Sequence, residues 1–188
     1  MTRPISGLDD VFTYHVQELY YVERRHEDVL EQFVADAHND ALRRALEHHR
    51  GETRDQRDRL EDVLDLVDTP AEERERPAFD GVLEEHDRFL ETVAVDESTP
   101  GTAGDPGNDP NADVDLRDLR ILTTAIEIEH LETAGYENAV LLARRLDHPR
   151  DIRKPLDRSR KEEDGMGTQL KEVANESAVR KLFTRLTG

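Results

Sequence analysis

The sequence predicts an all-α protein whose amphipathic helices pack into one antiparallel bundle. Apolar residues recur at spacings of three and four through five segments of the 188-residue chain, which is the periodicity of helices with one buried face. The strand pattern of alternating apolar and polar residues is absent, as is an Asn-Gly hairpin signal. Because the predicted helices are long and most connections are short, a bundle is the simplest architecture.

The first two helices are predicted in the N-terminal third of the chain. The first begins at Ser6 or Asp9, either of which could cap it, and runs to about Ala37. The second begins at Asn39 or Asp40. It should end before the next Thr-Pro pair, because a residue that precedes proline disfavours the helical conformation.

A long polar loop is predicted between the third and fourth helices. The third and shorter helix follows Pro77, and the fourth, which is the most apolar, runs from about Asp115 to Leu146. Between them lies a stretch rich in Gly, Pro and Asp, which predicts a mobile acidic loop over about 97–113. The amphipathic helices on both sides need each other, so the loop does not separate two domains.

The fifth helix is expected to run from about Pro149 to Ala174. Three residues of low helix propensity should interrupt it: Pro155, Gly165 and Gly167. We assign residues 1–176 to a single bundle domain, and 177–188 to a short amphipathic tail rich in basic residues. We expect the tail to dock on the protein's own bundle or a dimer mate, with a separate partner as the alternative.

The charge balance limits the partners of the protein. There are 44 acidic and 26 basic residues, for a formal net charge of −18, so the field of the molecule should repel nucleic acid and anionic membranes. An acidic, lysine-poor surface predicts a halophilic protein, and an ordinary acidic protein is the alternative. No cysteine is present, which excludes disulfides and thiolate chemistry. Without an apolar leader or membrane span, we expect a cytoplasmic protein.

Carboxylates on the apolar faces of the helices are the main functional signal. At about 100° per residue, four helices place glutamates on or beside their apolar stripes: Glu23, Glu52, Glu129, Glu132 and Glu163. Two histidines and a glutamine face the same way, namely His26, His49 and Gln56. Asp55, His130 and Glu162 point away.

Several ionised carboxylates cannot share a dry core, because each is costly to desolvate and they repel one another. Either they form a protonated or solvated polar core, or cations neutralise them. Arginine is almost absent from these stripes, so bound metal is the more direct answer. Oxygen ligands with one or two imidazoles favour iron or manganese, and zinc is possible.

Some inward residues have simpler interpretations. The third helix carries His86 on its apolar stripe but no second inward ligand, so we interpret His86 as a core residue. Tyr20 and Tyr21 are interpreted as packing residues. Tyr136 lies one turn beyond Glu132 and either packs in the core or donates a hydrogen bond to a ligand carboxylate.

The same residues resemble the YciE/YciF family of ferritin-like stress proteins. The matching segments are 10–23 (DVFTYHVQELYYVE), 49–56 (HRGETRDQ), 79–85 (FDGVLEE), 129–136 (EHLETAGY) and 162–163 (EE). The resemblance implies a ferritin-like antiparallel four-helix bundle with an additional short helix, related to rubrerythrins and often dimeric. By analogy with rubrerythrins, the five inward glutamates occupy ligand positions.

The chain departs from that pattern at the histidines. Three residues after Glu52 and after Glu163, where rubrerythrins have histidine, stand Asp55 and Met166. Methionine is a poor ligand for hard iron. The inward-facing imidazoles of the first and second helices could compensate.

The leading hypothesis is a non-haem di-iron ferroxidase-type oxidoreductase that uses dioxygen or peroxide, an activity that the resemblance implies. Glu52 and one carboxylate of the fourth helix would bridge the ions, with Glu23, Glu163 and His49 as terminal ligands. A structural stress-response dimer with weak or no metal binding is one alternative. The other is a cargo of an iron-storage assembly that the C-terminal tail addresses.

Overall fold

The computed structural model describes residues 4–93 and 112–175, and the side chains of 112–115 are outside this description. The C-terminal tail predicted at 177–188 lies outside the described residues, and so does most of the loop predicted at about 97–113. Residues 112 and 113 of that predicted loop are helical.

The prediction of an all-α fold is confirmed. The described chain forms five helices and no strand: α1 (Leu8–Asp36), α2 (Asp40–Leu66), α3 (Pro77–Thr92), α4 (Ala112–Arg145) and α5 (Arg150–Asn175). Among these elements, no helix has a stretch long and apolar enough to cross a membrane.

The first two helices begin with different caps. The N-cap of α1 is Gly7 rather than Ser6 or Asp9, because the carboxylate of Asp10 turns back and accepts the backbone N–H groups of Ser6 at 2.8 Å and Gly7 at 3.1 Å. Asn39 caps α2 as predicted, since its side chain accepts two backbone N–H groups of the first turn.

Four of the helices form the bundle, with α1 packed against α2 and α4, and α5 packed against α4 and α2. Cross-helix contacts fix the direction of α1 against α4. His26 meets Glu132, and Glu23 meets Tyr136, so residue numbers fall along α1 as they rise along α4. The two helices are therefore antiparallel.

The short helix α3 lies outside the four-helix core and packs against α4. His86 is buried, and its Nδ1 pairs with the Thr124 hydroxyl at 2.9 Å. Asp80 accepts a hydrogen bond of 2.7 Å from the Tyr21 hydroxyl of α1. The structure thus places His86 in the core, as the sequence predicted.

The expected interruption of α5 is wrong, because the helix is continuous from Arg150 to Asn175. Pro155 lies within it, and Gly165 has open space beside it. Buried side chains on both sides of the proline, including Ile152 and Leu156, pack into the core. This tertiary packing offsets the weak local propensity.

Two apolar clusters fill the bundle along its length. What we name the first apolar layer contains the N-terminal part of α2 and the C-terminal part of α5, with Leu46 and Leu170 among its members. The second apolar layer contains the opposite ends of those helices, with Leu60 and Leu156 among its members. In α2, α4 and α5, buried polar residues lie between the two layers along the sequence. In α1, the buried Glu23 and His26 follow directly after the boundary between the layers at Tyr20 and Tyr21.

Candidate metal centre

The buried polar residues between the apolar layers come from all four bundle helices, and we name them the polar layer. Each is at most 1% exposed: Glu23, His26, His49, Thr53, Gln56, Glu129, Glu132, Ser159 and Glu163. Six of them were predicted as metal ligands from the sequence. The structure brings these six together in the core, while their role as ligands stays a prediction.

Four of the six offer ligand atoms within 4.8 Å of one another, namely His26, His49, Glu129 and Glu132. The Nδ1 atom of His26 lies 3.0 Å from Oε1 of Glu132. The Nε2 atom of His49 lies 3.1 Å from Oε1 of Glu129. Two imidazoles and two carboxylates, from three different helices, therefore converge on one point.

Two more carboxylates adjoin this group. Glu163 of α5 places Oε2 3.5 Å from Nε2 of His49. Glu23 of α1 accepts a hydrogen bond of 2.5 Å from the hydroxyl of Tyr136, whose side chain is fully buried. The structure therefore supports both interpretations of Tyr136, which packs in the second apolar layer and donates a hydrogen bond, although its partner is Glu23 on another helix.

Glu52 differs from the other predicted ligands because its side chain is 30% exposed. The buried face of α2 is centred on His49, Thr53 and Gln56, which leaves Glu52 at the side of that face. Its Oε2 lies 3.3 Å from Nδ1 of His49, so it holds the imidazole with the other nitrogen turned toward Glu129. Glu52 is thus less deeply inward than its helical position predicted, and its bridging role stays a prediction.

The residues excluded from the sequence-based site lie outside it. Asp55 is exposed. His130 is exposed and contacts Lys171. Glu162 pairs with Arg59 at 2.5 Å and with Arg158 at 2.8 Å. Helical projection separated Glu162 from its neighbour in the core because adjacent residues point about 100° apart.

Sequence reasoning missed two members of the polar layer, Thr53 and Ser159. Both are buried, and their hydroxyls have no hydrogen-bond partner in the described structure. Thr53 lies one turn after His49, and Ser159 lies one turn before Glu163. Positions four apart share a helix face, so the spacing could have found them.

The pKa values of the carboxylates in the polar layer are shifted in opposite directions. Burial raises the pKa of Glu163 well above its usual 4.5, and the neighbouring carboxylates of Glu132 and Glu23 raise it further. Burial and Glu132 likewise raise the pKa of Glu23. Burial also opposes ionisation of Glu129, but nearby His49 lowers its pKa below 4.5.

Burial would lower the pKa of His49, but the carboxylate of Glu129 and then that of Glu52 raise it well above 6.5. In the metal-free centre, an imidazolium at His49 therefore faces an ionised Glu129. Glu23 and Glu163 hold protons well above the pH at which exposed glutamates lose them.

The donor atoms left without hydrogen bonds test whether a metal fits this centre. Both carboxylate oxygens of Glu129 and of Glu163 are buried without a hydrogen-bond partner, as is one oxygen of Glu132. The Nε2 atoms of His26 and His49 are in the same state. Buried polar atoms normally find partners, and oxygen donors with imidazole suit iron, manganese or zinc. The residues present thus fit a divalent metal, without distinguishing which one.

The chain has relatives of known sequence and structure over most of its length. It is 23% identical over 171 residues to the YciF protein of Escherichia coli K12, which covers 90% of this chain and 92% of that protein. Its fold is similar to that of YcfI from Rhodopseudomonas palustris, with a TM-score of 0.76, 26% identity and coverage of 91% of this chain and 97% of YcfI.

The crystal structure of the E. coli stress protein YciF is also similar, with a TM-score of 0.72 and 24% identity over 90% of this chain and 96% of YciF. The resemblance to YciF-like proteins, inferred from the sequence motifs, is thereby confirmed. Residues 7–104 and 106–183 match the family described as domain of unknown function DUF892. Since this match spans nearly all of the sequence, the chain belongs to the DUF892 family.

Proposed function

We propose that this chain is a non-haem iron protein whose polar layer binds one or two ferrous ions and oxidises them with dioxygen or peroxide. The convergence of His26, His49, Glu129 and Glu132 within 4.8 Å carries the proposal. These side chains are buried, so their charges need a counterion that water cannot replace.

The six buried ligands divide into two sets in this proposal. His26, His49, Glu129 and Glu132 would provide the donors for a first ion. Their two imidazoles would take the place of the rubrerythrin histidines, whose positions in this chain are occupied by Asp55 and Met166. Glu23 and Glu163 provide carboxylates for a second ion. Glu52 is the one predicted ligand that reaches solvent, at 30% exposure, and it would receive an incoming cation.

Redox chemistry would come from the iron itself, since two ferrous ions release one electron each and peroxide takes up two electrons and two protons to form two waters. The protein's own carboxyls handle protons. Glu23 and Glu163 hold protons in the metal-free centre because their pKa values are raised. A bound cation would displace these protons, so binding should release acid.

Anaerobic titration with ferrous iron tests the proposal. Calorimetry in two buffers of different ionisation enthalpy should show binding coupled to proton release, and later addition of peroxide should produce ferric absorbance. Glu129→Gln should weaken iron binding by at least about 100-fold, because it removes a proposed ligand and even the loss of an outer-shell partner weakens binding by up to that factor. Glu127→Gln is the matched control, because Glu127 is exposed on the same helix.

The proposed iron site is wrong if the wild type takes up no iron. It is also wrong if Glu129→Gln binds iron as well as Glu127→Gln does. If the protein takes up iron but shows no ferric absorbance after peroxide, the proposed metal site stands and the proposed oxidation is wrong.

The charge state of the metal-free centre favours one alternative function, a structural stress-response dimer with weak or no metal binding. Glu129 and His49 compensate each other's charge, and protonated Glu23 and Glu163 carry none. The core is then stable without metal. In that case the melting temperature should be the same with Fe²⁺, Mn²⁺ or a chelator. Dimerisation, halophily and cytoplasmic location stay predictions from the sequence.

A further inference from the structure

Positive charge is concentrated in one part of this acidic protein. Residues 144–161 contain eight arginines and lysines against three aspartates, a net charge of +5 in a chain with a total of −18. This segment covers the end of α4, the turn and the first half of α5. The average charge of the chain therefore conceals a local field of opposite sign.

The basic side chains line a concavity of about 480 Å³ between α4 and α5, which we name the basic groove. Its lining is Val140, Arg144, Arg150, Arg153, Lys154, Asp157 and Lys161. Each of the five α5 residues among them lies three or four positions from at least one other. Such intervals place side chains on one helix face, so both walls of the groove present bases.

Most of these bases lack an ion-pair partner among residues 4–93 and 112–175, the ranges that the structure describes. Arg144, Arg150, Arg153 and Lys154 form no ion pair with any residue that the structure describes, whereas Lys161 pairs with Asp157 at 2.7 Å. In α2, by contrast, Arg50, Arg54 and Arg57 pair with glutamates of α1. A chain with 44 acidic residues does not lack carboxylates, so the unpaired bases are a local arrangement.

We propose that the basic groove binds a small polyanion with several phosphate groups, of the class of inorganic polyphosphates and nucleoside polyphosphates. Arginine forks and lysine ammonium groups are the side chains that recognise phosphate oxygens. The volume lies within the usual range of small-molecule sites. A longer polyanion, such as nucleic acid, would extend from the groove onto the acidic surface and be repelled.

One carboxylate also faces the groove. Asp157 accepts from Lys161 and from Arg160 at 3.4 Å, and the hydrogen bond from Lys161 lowers its pKa. It therefore stays ionised and orients Lys161, while the four unpaired bases remain for phosphate.

Titration of the full-length protein with inorganic tripolyphosphate at low salt tests the groove. Calorimetry should show one site per chain. The double variant Arg153→Gln/Lys154→Gln should bind at least about tenfold more weakly, since each removed group contributes a charged hydrogen bond. The double variant Arg43→Gln/Arg54→Gln has the same charge change at exposed, ion-paired arginines of α2, and should bind as the wild type does.

A variant that conserves charge tests whether binding depends on the positive charges of the groove. Arg153→Lys/Lys154→Arg retains both charges and should retain most of the binding, and circular dichroism should be unchanged in every variant. If the double glutamine variant does not fold, Lys154→Gln alone should still weaken binding severalfold.

Several outcomes would overturn the proposal. One is a wild type that does not bind tripolyphosphate, and another is equal weakening in both double glutamine variants. Binding to phosphatidylglycerol vesicles without binding to tripolyphosphate would assign the groove to a membrane instead. The double variant Arg153→Gln/Lys154→Gln could instead have a lower molecular mass than the wild type by light scattering and bind tripolyphosphate as the wild type does. That result would assign the groove to contacts with a second copy of the chain.

Discussion

The two apolar layers and the polar layer between them are equally buried, yet different interactions hold them. In the apolar layers, residues such as Leu46 and Leu60 are at most 1% exposed, and each packs within its own layer. This packing stabilises the fold by removing apolar surface from water. In the polar layer, Glu129 and Glu163 are buried to the same degree without hydrogen-bond partners.

This difference separates stability from function within one bundle. Burying charged groups costs free energy, so the metal-free polar layer should be a site of low stability that the apolar layers offset. Natural sequences break packing rules mainly at functional sites. Substitutions in the apolar layers should therefore destabilise the fold, whereas removal of a buried charge or an unpartnered polar group from the polar layer should stabilise the metal-free protein.

The largest effect is expected in an apolar layer. Leu46→Ala removes a fully buried side chain and should lower the free energy of unfolding by about 2–5 kcal/mol. Urea denaturation with a chelator measures this change. Leu141→Ala is the control, because Leu141 is 59% exposed and its truncation should change stability by less than about 0.5 kcal/mol. Equal losses in the two variants would contradict the comparison.

An intermediate effect is expected from the pH dependence of the polar layer. Because the pKa of Glu163 is raised in the folded state, this residue stabilises the metal-free fold at pH values below 4.5, its pKa in the unfolded chain. The contribution is lost as pH rises through the pKa of the folded state. The pKa of His49 is also raised, so its contribution to stability is likewise lost as pH rises above 6.5. The lowered pKa of Glu129 has the opposite sign, but its contribution is lost only as pH falls below 4.5. Metal-free protein should therefore be less stable at pH 8.5 than at pH 6.

Glu163→Gln should remove part of this slope and make the metal-free protein more stable than the wild type at pH 8.5. Urea denaturation at both pH values with a chelator measures it. The exposed Glu127→Gln should keep the wild-type slope. If Glu163→Gln also keeps the full slope, Glu163 does not hold the proton assigned to it.

The smallest effect is expected from an unpartnered hydroxyl of the polar layer. Thr53→Val replaces a buried hydroxyl that lacks a hydrogen bond with a methyl group of similar shape, and should stabilise the metal-free protein by up to about 1 kcal/mol. Thr124→Val is the matched control, since the buried Thr124 hydroxyl bonds His86. It should destabilise by about 1–3 kcal/mol. Denaturation that shows equal losses for both would mean that Thr53 has a partner.

The fold and most of the polar layer could be predicted from periodicity because a buried helix face repeats every three or four residues. The predictions that failed depended on neighbouring helices. Pro155 was expected to interrupt α5, but packing on both sides keeps that helix continuous. Glu52 was expected at the centre, but the exact rotation of α2 places it at the edge with 30% exposure.

The sequence by itself determined the all-α class, the amphipathic faces and the inward direction of Glu23, Glu129, Glu132 and Glu163, since these follow from residue type and helical spacing. Only the tertiary structure decided which of those residues meet. Contacts such as Tyr136 with Glu23 join positions 113 residues apart. It also brought the bases of α4 and α5 to one groove. Such groupings depend on how helices are rotated and aligned in the bundle, which local periodicity does not specify.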